Sequence, residues 1–167
     1  MKRFQFFWYF VVAISLAACN RIATPPSPEA AVRYNESIVL HCDSVTRAFD
    51  VLLESIDARD SSKAQRRLEL AIMASARAQS SLGKLPDHMG NTQLRDAALD
   101  LVTYYHKSLS GDFTQILPYM LQDTLEEDAA LHVDSVMTQF GQMEDSLFSR
   151  MIRTQVEFSK KHGLTLQ

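Results

Sequence analysis

Histidine, cysteine and carboxylate side chains would carry catalysis or hold a metal, and in this chain their spacing argues against both. The five histidines are His41, His88, His106, His132 and His162. A di-iron carboxylate bundle needs Glu-x-x-His on two helices. The residues three positions before the histidines are Ile38, Leu85, Thr103, Ala129 and Ser159, none of them acidic. Asp128 and His132 are four apart, a spacing that reads as a solvated contact on one helix face. His41 and Cys42 are neither a dyad nor a ligand pair, because adjacent helical residues point about 100° apart. There is no C-x-x-C-H for haem attachment. There is also no G-x-S-x-G elbow and no glycine-rich phosphate loop. The spacing therefore predicts no catalytic residue, no metal and no cofactor, and a non-enzymatic protein.

Asn35 is the polar residue that the pattern does single out. It lies three before Ile38 and four before Val39, on the apolar side of a helix. An inward amide needs a partner, since burying it unpaired is costly. Arg95 and Asp96 are the expected partners, in a buried contact that fixes helix register. Tyr34, Tyr104 and Tyr105 are expected at the core edge with their hydroxyls in water. The methionines, among them Met120, Met137, Met143 and Met151, are expected to fill irregular gaps in the core.

Cys19 has a different chemistry. Lys2 and Arg3 form a positive start, Phe6 to Leu16 an apolar run, and small residues then lead to the cysteine. That order predicts a secretory signal peptide. A membrane span needs ~20 apolar residues, whereas the run from Phe4 to Cys19 is shorter and Asn20-Arg21 closes it. Leu16-Ala17-Ala18-Cys19 resembles the bacterial lipobox. The resemblance implies a diacylglycerol on the Cys19 sulfur, cleavage after Ala18 and acylation of the new amino terminus. Several acyl chains on one residue make a stable membrane anchor. Asn20 is not the aspartate that often retains lipoproteins in the inner membrane, so the outer membrane is implied. Residues 20–24 carry no acidic run of the kind that directs export to the cell surface, so the periplasmic leaflet is the expectation.

Residues 1–18 are thus read as signal peptide, 19–27 as lipidated N-terminus and proline-bearing linker, and 28–167 as the folded domain. About 150 residues would remain after cleavage, enough for one domain with a proper core. The net charge of the whole chain is −3. Loss of Lys2 and Arg3 would take it to about −5. That balance argues against nucleic acid, which needs clustered Lys and Arg, and against a polybasic membrane patch. Cys42 is the only cysteine besides Cys19, so a lipidated chain has no intrachain disulfide. Cys42 is expected in the core.

From Ser27 onward the apolar residues recur at steps of three and four. Ser27 caps a first helix with Pro28 at its first position. Its stripe is Val32, Ile38, Val39, Cys42, Val45, Phe49, Leu52, Leu53 and Ile56, ending near Asp57. Asp60 or Ser61 caps a second helix with a small-residued stripe including Ala71, Ser75 and Ala78; Gly83 stops it, and Leu85-Pro86 keeps the chain from resuming. Asn91 or Thr92 caps a third, carrying Leu94, Leu101, Tyr105 and Leu109. Gly111 weakens it and Pro118 ends it between Leu117 and Gln122. Thr124 to Glu127 reads as a capping box opening a fourth helix, which Gly163 stops. Four helices joined by short connections predict an all-α, antiparallel up-down-up-down four-helix bundle.

Several strings share an order and spacing with a known family. They are Tyr34-Asn35, Leu94-Arg95-Asp96-Ala97-Ala98-Leu99 with Tyr104-Tyr105, and Phe158-Ser159-Lys160-Lys161-His162-Gly163-Leu164. In these the chain resembles a family of small bacterial surface lipoproteins that begin with a lipobox, fold as helical bundles and have no assigned function. The resemblance implies the anchor and the bundle and supplies no catalytic residues. Its surface location conflicts with the leaflet expected from residues 20–24. The leading expectation is an envelope-anchored binding or scaffolding module with an envelope protein as partner. The alternative is a periplasmic carrier or sensor of a small apolar ligand held between helices, where the small residues of the second helix leave room. A hydrolase or metalloprotein with a site hidden from the sequence is a third, weaker reading. The oligomeric state is left open.

Overall fold

A computed structural model describes residues 27–165, and these are all-helical. Leu16, Ala17, Ala18, Cys19 and the linker through Pro26 lie outside the described residues. The elements are α1 (Pro28–Asp57), α2 (Ser61–Lys84), α3 (Gln93–Ser108), α4 (Thr114–Met120) and α5 (Glu127–His162). A single π turn over Leu109–Phe113 joins α3 to α4, so the two run on as one long helix. None of the described helices is long and apolar enough to cross a membrane.

Local chemistry explains most boundaries. The Ser27 hydroxyl accepts from the Ala30 amide and Pro28 opens α1. The Asp60 carboxylate accepts from the Lys63 amide at 2.9 Å and opens α2. The Asn91 side chain accepts from Gln93 N–H at 3.0 Å where α3 begins. At the C-terminus of α5, Gly163 is left-handed (φ 66°, ψ 28°), and Leu164 N–H returns to the Ser159 carbonyl at 2.9 Å. That is a glycine cap of the expected kind.

Two boundaries differ from expectation. Gly83 lies inside α2, and the helix stops one residue later because Leu85 precedes Pro86 and is extended (φ −67°, ψ 123°). The ring of a proline forces that conformation on its predecessor. Thr124 does not cap α5 either. The N-cap is Glu126, and Glu127 and Asp128 set negative charge in the first turn, where the helix dipole favours it. Gly111 falls in the π turn, where the Thr114 hydroxyl donates to the Leu109 carbonyl at 2.9 Å. The helix continues through Pro118 and ends at Met120, inside the expected interval.

The core is built by α1, α2 and α3, with α5 leaning mainly on α3 and touching α1 only sparingly. Ile38, Val45 and Leu52 of α1 meet Ala64, Leu68, Ala71 and Leu82 of α2 and Leu94, Leu101 and Leu109 of the third helix, all fully buried. Phe49 is the hub of an aromatic group, with ring centroids 5.2 Å from Phe113 and 4.9 Å from Phe140. Only Phe140, Met151, Phe158 and Ser159 of α5 are buried, whereas Ala129, Val133, Val136, Met137 and Leu147, apolar residues at helical spacing with them, are half-buried. Met143 stands 48% exposed and is not core filler, nor are Met73 and Met89. Val32 also faces out of the core. At one end of the molecule, the exposed Arg59 reaches the Gln122 carbonyl at 2.9 Å and pairs with Asp123.

Candidate functional site

The loose seam between α1 and α5 leaves an open cleft of about 410 Å³. Val39 and Cys42 of α1 and Phe148, Met151 and Ile152 of α5 form its apolar walls, and Tyr105 of α3 closes its floor. Four carboxylates line it, Asp43, Asp50, Glu144 and Asp145, and no Lys, Arg or His does among the described residues. Asp43 pairs with Arg47 at 2.8 Å, but that guanidinium is largely solvent-exposed, and such a pair is worth little. The seam continues toward the N-terminal end of α1 as a second cleft with Val32, Glu36, Leu40 and Leu164 along it, again without a basic residue among the described residues. Leu40 is exposed along this second cleft, and Phe148 and Ile152 on the α5 wall of the first.

Tyr105 is almost fully buried, and its hydroxyl donates to the Glu144 carboxylate. Burial and then the Glu144 charge push the Tyr105 phenol well above its usual range. Burial likewise pushes the Cys42 thiol up to about 12, with Asp43 adding to it, so Cys42 is a protonated core side chain as expected.

A second concentration of polar chemistry sits where the start of α1, the loop after α2, the start of α3 and the last turn of α5 meet. The rings of Tyr34, His88, Phe158 and His162 pack together, with Tyr34–His88 centroids 5.3 Å apart, His88–His162 4.9 Å and Phe158–His162 4.4 Å. His88 is held by a tight turn. Its N–H and carbonyl pair with those of Asn91, at 3.3 and 3.0 Å, around left-handed Met89 (φ 56°) and Gly90 (φ 74°). Burial, then the His88 and Lys161 charges, lower the basicity of His162. Burial raises the Tyr34 phenol.

The contact expected between Asn35 and Arg95 or Asp96 does not form. Arg95 pairs with Asp96 at 2.8 Å and donates to the Leu85 carbonyl at 3.0 Å, tying α3 to the loop. Burial pushes the Asp96 carboxyl up, but hydrogen bonds from Thr92 and Arg95 outweigh it and hold the group below its usual range. Asn35 is not joined to either, and its carbonyl oxygen is buried without a partner among the described residues. The guanidinium is already committed within its own helix and loop. The tyrosines also differ from expectation. The hydroxyl of Tyr34 is buried without a partner, and those of Tyr104 and Tyr105 bond to the Phe140 carbonyl and to Glu144. Tyr34 and Tyr105 are therefore buried rather than at the core edge, while Tyr104 is half-buried at that edge.

Asp128 and His132 both lie on the exposed first turns of α5. Ser75 comes within 3.3 Å of His106 Nδ1, but Ser75 is fully buried and its hydroxyl also meets the Ile72 carbonyl at 2.9 Å. That pair is a seam contact between α2 and α3. Sequence reasoning weighed His88 and His162 only by the residue three before each, and joined neither to the other. No local spacing links them, since their elements come together only in the folded chain. Compared with models of protein families, with curated proteins and with solved structures, the chain matches none.

Proposed function

We propose that the chain is a non-enzymatic lipoprotein, anchored through Cys19 in the periplasmic leaflet of the outer membrane. Its four long helices form an up-down-up-down bundle, and its α1–α5 cleft binds an amphipathic basic helix of an envelope partner. The observation that carries the reading is the cleft itself: apolar walls, four carboxylates and no lining cation. A helix laid in a groove buries its apolar face and leaves its charged flanks to find complementary charge. The linker of residues 20–27 reaches ~26 Å when extended, which keeps the partner close to the bilayer. The likeness to small surface lipoproteins supports the anchor and the bundle, with the leaflet as the point on which the two readings part.

Two experiments test it. Cys19→Ala should release the chain from the outer membrane and abolish the acyl mass of the wild type; equal fractionation of both proteins overturns the anchor. A photo-crosslinker placed at Phe148 or Ile152 in the native host should capture one envelope protein through a basic amphipathic segment. Asp50→Lys with Asp145→Lys should remove that crosslink. A crosslink that survives charge reversal, or none at all, overturns the docking mode. The cleft volume also lies in the small-ligand range of about 300–1,000 Å³, which favours a carrier as the second reading, with the ligand between α1 and α5 rather than beside Ala71, Ser75 and Ala78 of α2, which are packed in the core. A copurified ligand in native mass spectrometry, displaced by the same substitutions, would establish that reading instead.

A further inference from the structure

Five buried polar side-chain atoms lack a hydrogen-bond partner among the described residues: Tyr34 Oη, Asn35 Oδ1, His88 Nε2, Ser159 Oγ and His162 Nε2. All belong to the end of the molecule where α1 begins and α5 stops. Left dry, each such atom costs about 1–3 kcal/mol, so a cluster of them calls for something that satisfies it. The two nitrogens narrow the choice. Both Nε2 atoms are buried and unbonded, and the two rings touch with centroids 4.9 Å apart at 79°. Two imidazoles on one metal, each at about 2.1 Å and with a near-tetrahedral angle between them, have centroids about 5 Å apart.

The elements hold the pair in place. His88 is 93% buried, with a relative exposure of 7%. It sits in a two-residue turn that requires left-handed backbone at Met89 as well as Gly90. A methionine held there costs of order 1 kcal/mol, and the turn it permits aims His88 inward. His162 lies in the last turn of α5, secured by the Gly163 cap.

We propose that His88 and His162 bind one divalent first-row transition-metal ion through their Nε2 atoms, with the hydroxyls of Tyr34 and Ser159 or water completing the shell. Imidazole selects the zinc, nickel and copper class over magnesium or calcium. Asp87 and Asp96 act on the cluster with negative charge, and Arg95 and Lys161 oppose them. No third His, Cys, Asp or Glu joins the pair among the described residues, so the site is an open one, weaker than a three-ligand zinc centre. The ion would staple the loop after α2 to the end of α5.

The test uses the full lipidated chain in detergent, stripped with a chelator and titrated with Zn2+ by calorimetry and with Co2+ by visible absorption. One equivalent should bind, with a cobalt spectrum of nitrogen–oxygen ligation. His88→Ala and His162→Ala should each weaken binding at least tenfold, and His132→Ala, on the exposed part of α5, should leave it unchanged. Zn2+ should raise the unfolding temperature of the wild type and of neither cluster variant. If His88→Ala fails to fold, His162→Ala and the wild-type cobalt spectrum decide alone. Absence of stoichiometric binding, or binding that ignores both substitutions, overturns the proposal and leaves the cluster to water.

Discussion

Cys42→Ala should flatten the alkaline side of the stability curve. The thiol is 5% exposed in the core, and burial, aided by Asp43, moves it from 9.0 to about 12. The folded chain therefore keeps the proton, whereas the unfolded chain releases it above pH 9. In that window the unfolded state binds fewer protons, so stability falls as pH rises. At 1.36 kcal/mol per pKa unit the full loss approaches about 4 kcal/mol by pH 12, and about 2 kcal/mol is gone by pH 10.5. Removing the sulfur costs about 1 kcal/mol at every pH through lost burial. The wild type should thus be about 1 kcal/mol the more stable at pH 8 and about 1 kcal/mol the less stable at pH 10.5. Tyr34, Tyr104 and Tyr105 also resist ionisation, but they are common to both proteins and cancel in the difference. Urea unfolding followed by circular dichroism at pH 8, 9, 10 and 10.5 reads it directly. Parallel profiles across that range would show that the thiol is not held protonated by the fold, and the argument from burial would fail.

Other substitutions probe the seams. Tyr105→Phe removes the donor to Glu144 that joins α3 to α5 and should cost about 1.5 kcal/mol, or about 4 °C in unfolding temperature, in a calorimetric scan. Phe158→Ala empties the centre of the Tyr34–His88–His162 cluster and should cost about 3–5 kcal/mol in urea unfolding. Gly163→Ala forces a side chain into left-handed backbone, should cost about 1 kcal/mol, and should first show as faster amide exchange in the last turn of α5. Arg59→Ala breaks an exposed pair with Asp123 and should change the unfolding midpoint by less than about 1 kcal/mol.

The helices were legible because their signals are local. Ser27-Pro28, Asp60 and Gly163 mark boundaries through contacts within one turn, and the three-and-four spacing of Ile38, Cys42, Val45 and Phe49 names a buried face without reference to any partner. Boundary signals failed where two local rules competed. At the end of α2, Gly83 stays inside the helix and the signal that holds is Leu85-Pro86, while acids in the first turn of α5 set its start after Thr124.

Which faces are covered is a different matter, because it depends on what stands opposite. Met143 and Val32 satisfy the helical pattern yet face solvent, since α5 settles on α3 and leaves α1 uncovered along one side. The acidic cleft is the result, with Asp43 and Asp50 on one wall and Glu144 and Asp145 on the other. Asn35 could be seen to point inward from its spacing, but Arg95 was already taken by Asp96 and Leu85. His88 and His162 lie on a loop and a helix end far apart in the chain, and no period relates them. Local backbone preference sets where each element starts and stops. Packing between elements, which sums contacts over distant residues, decides which side chains meet.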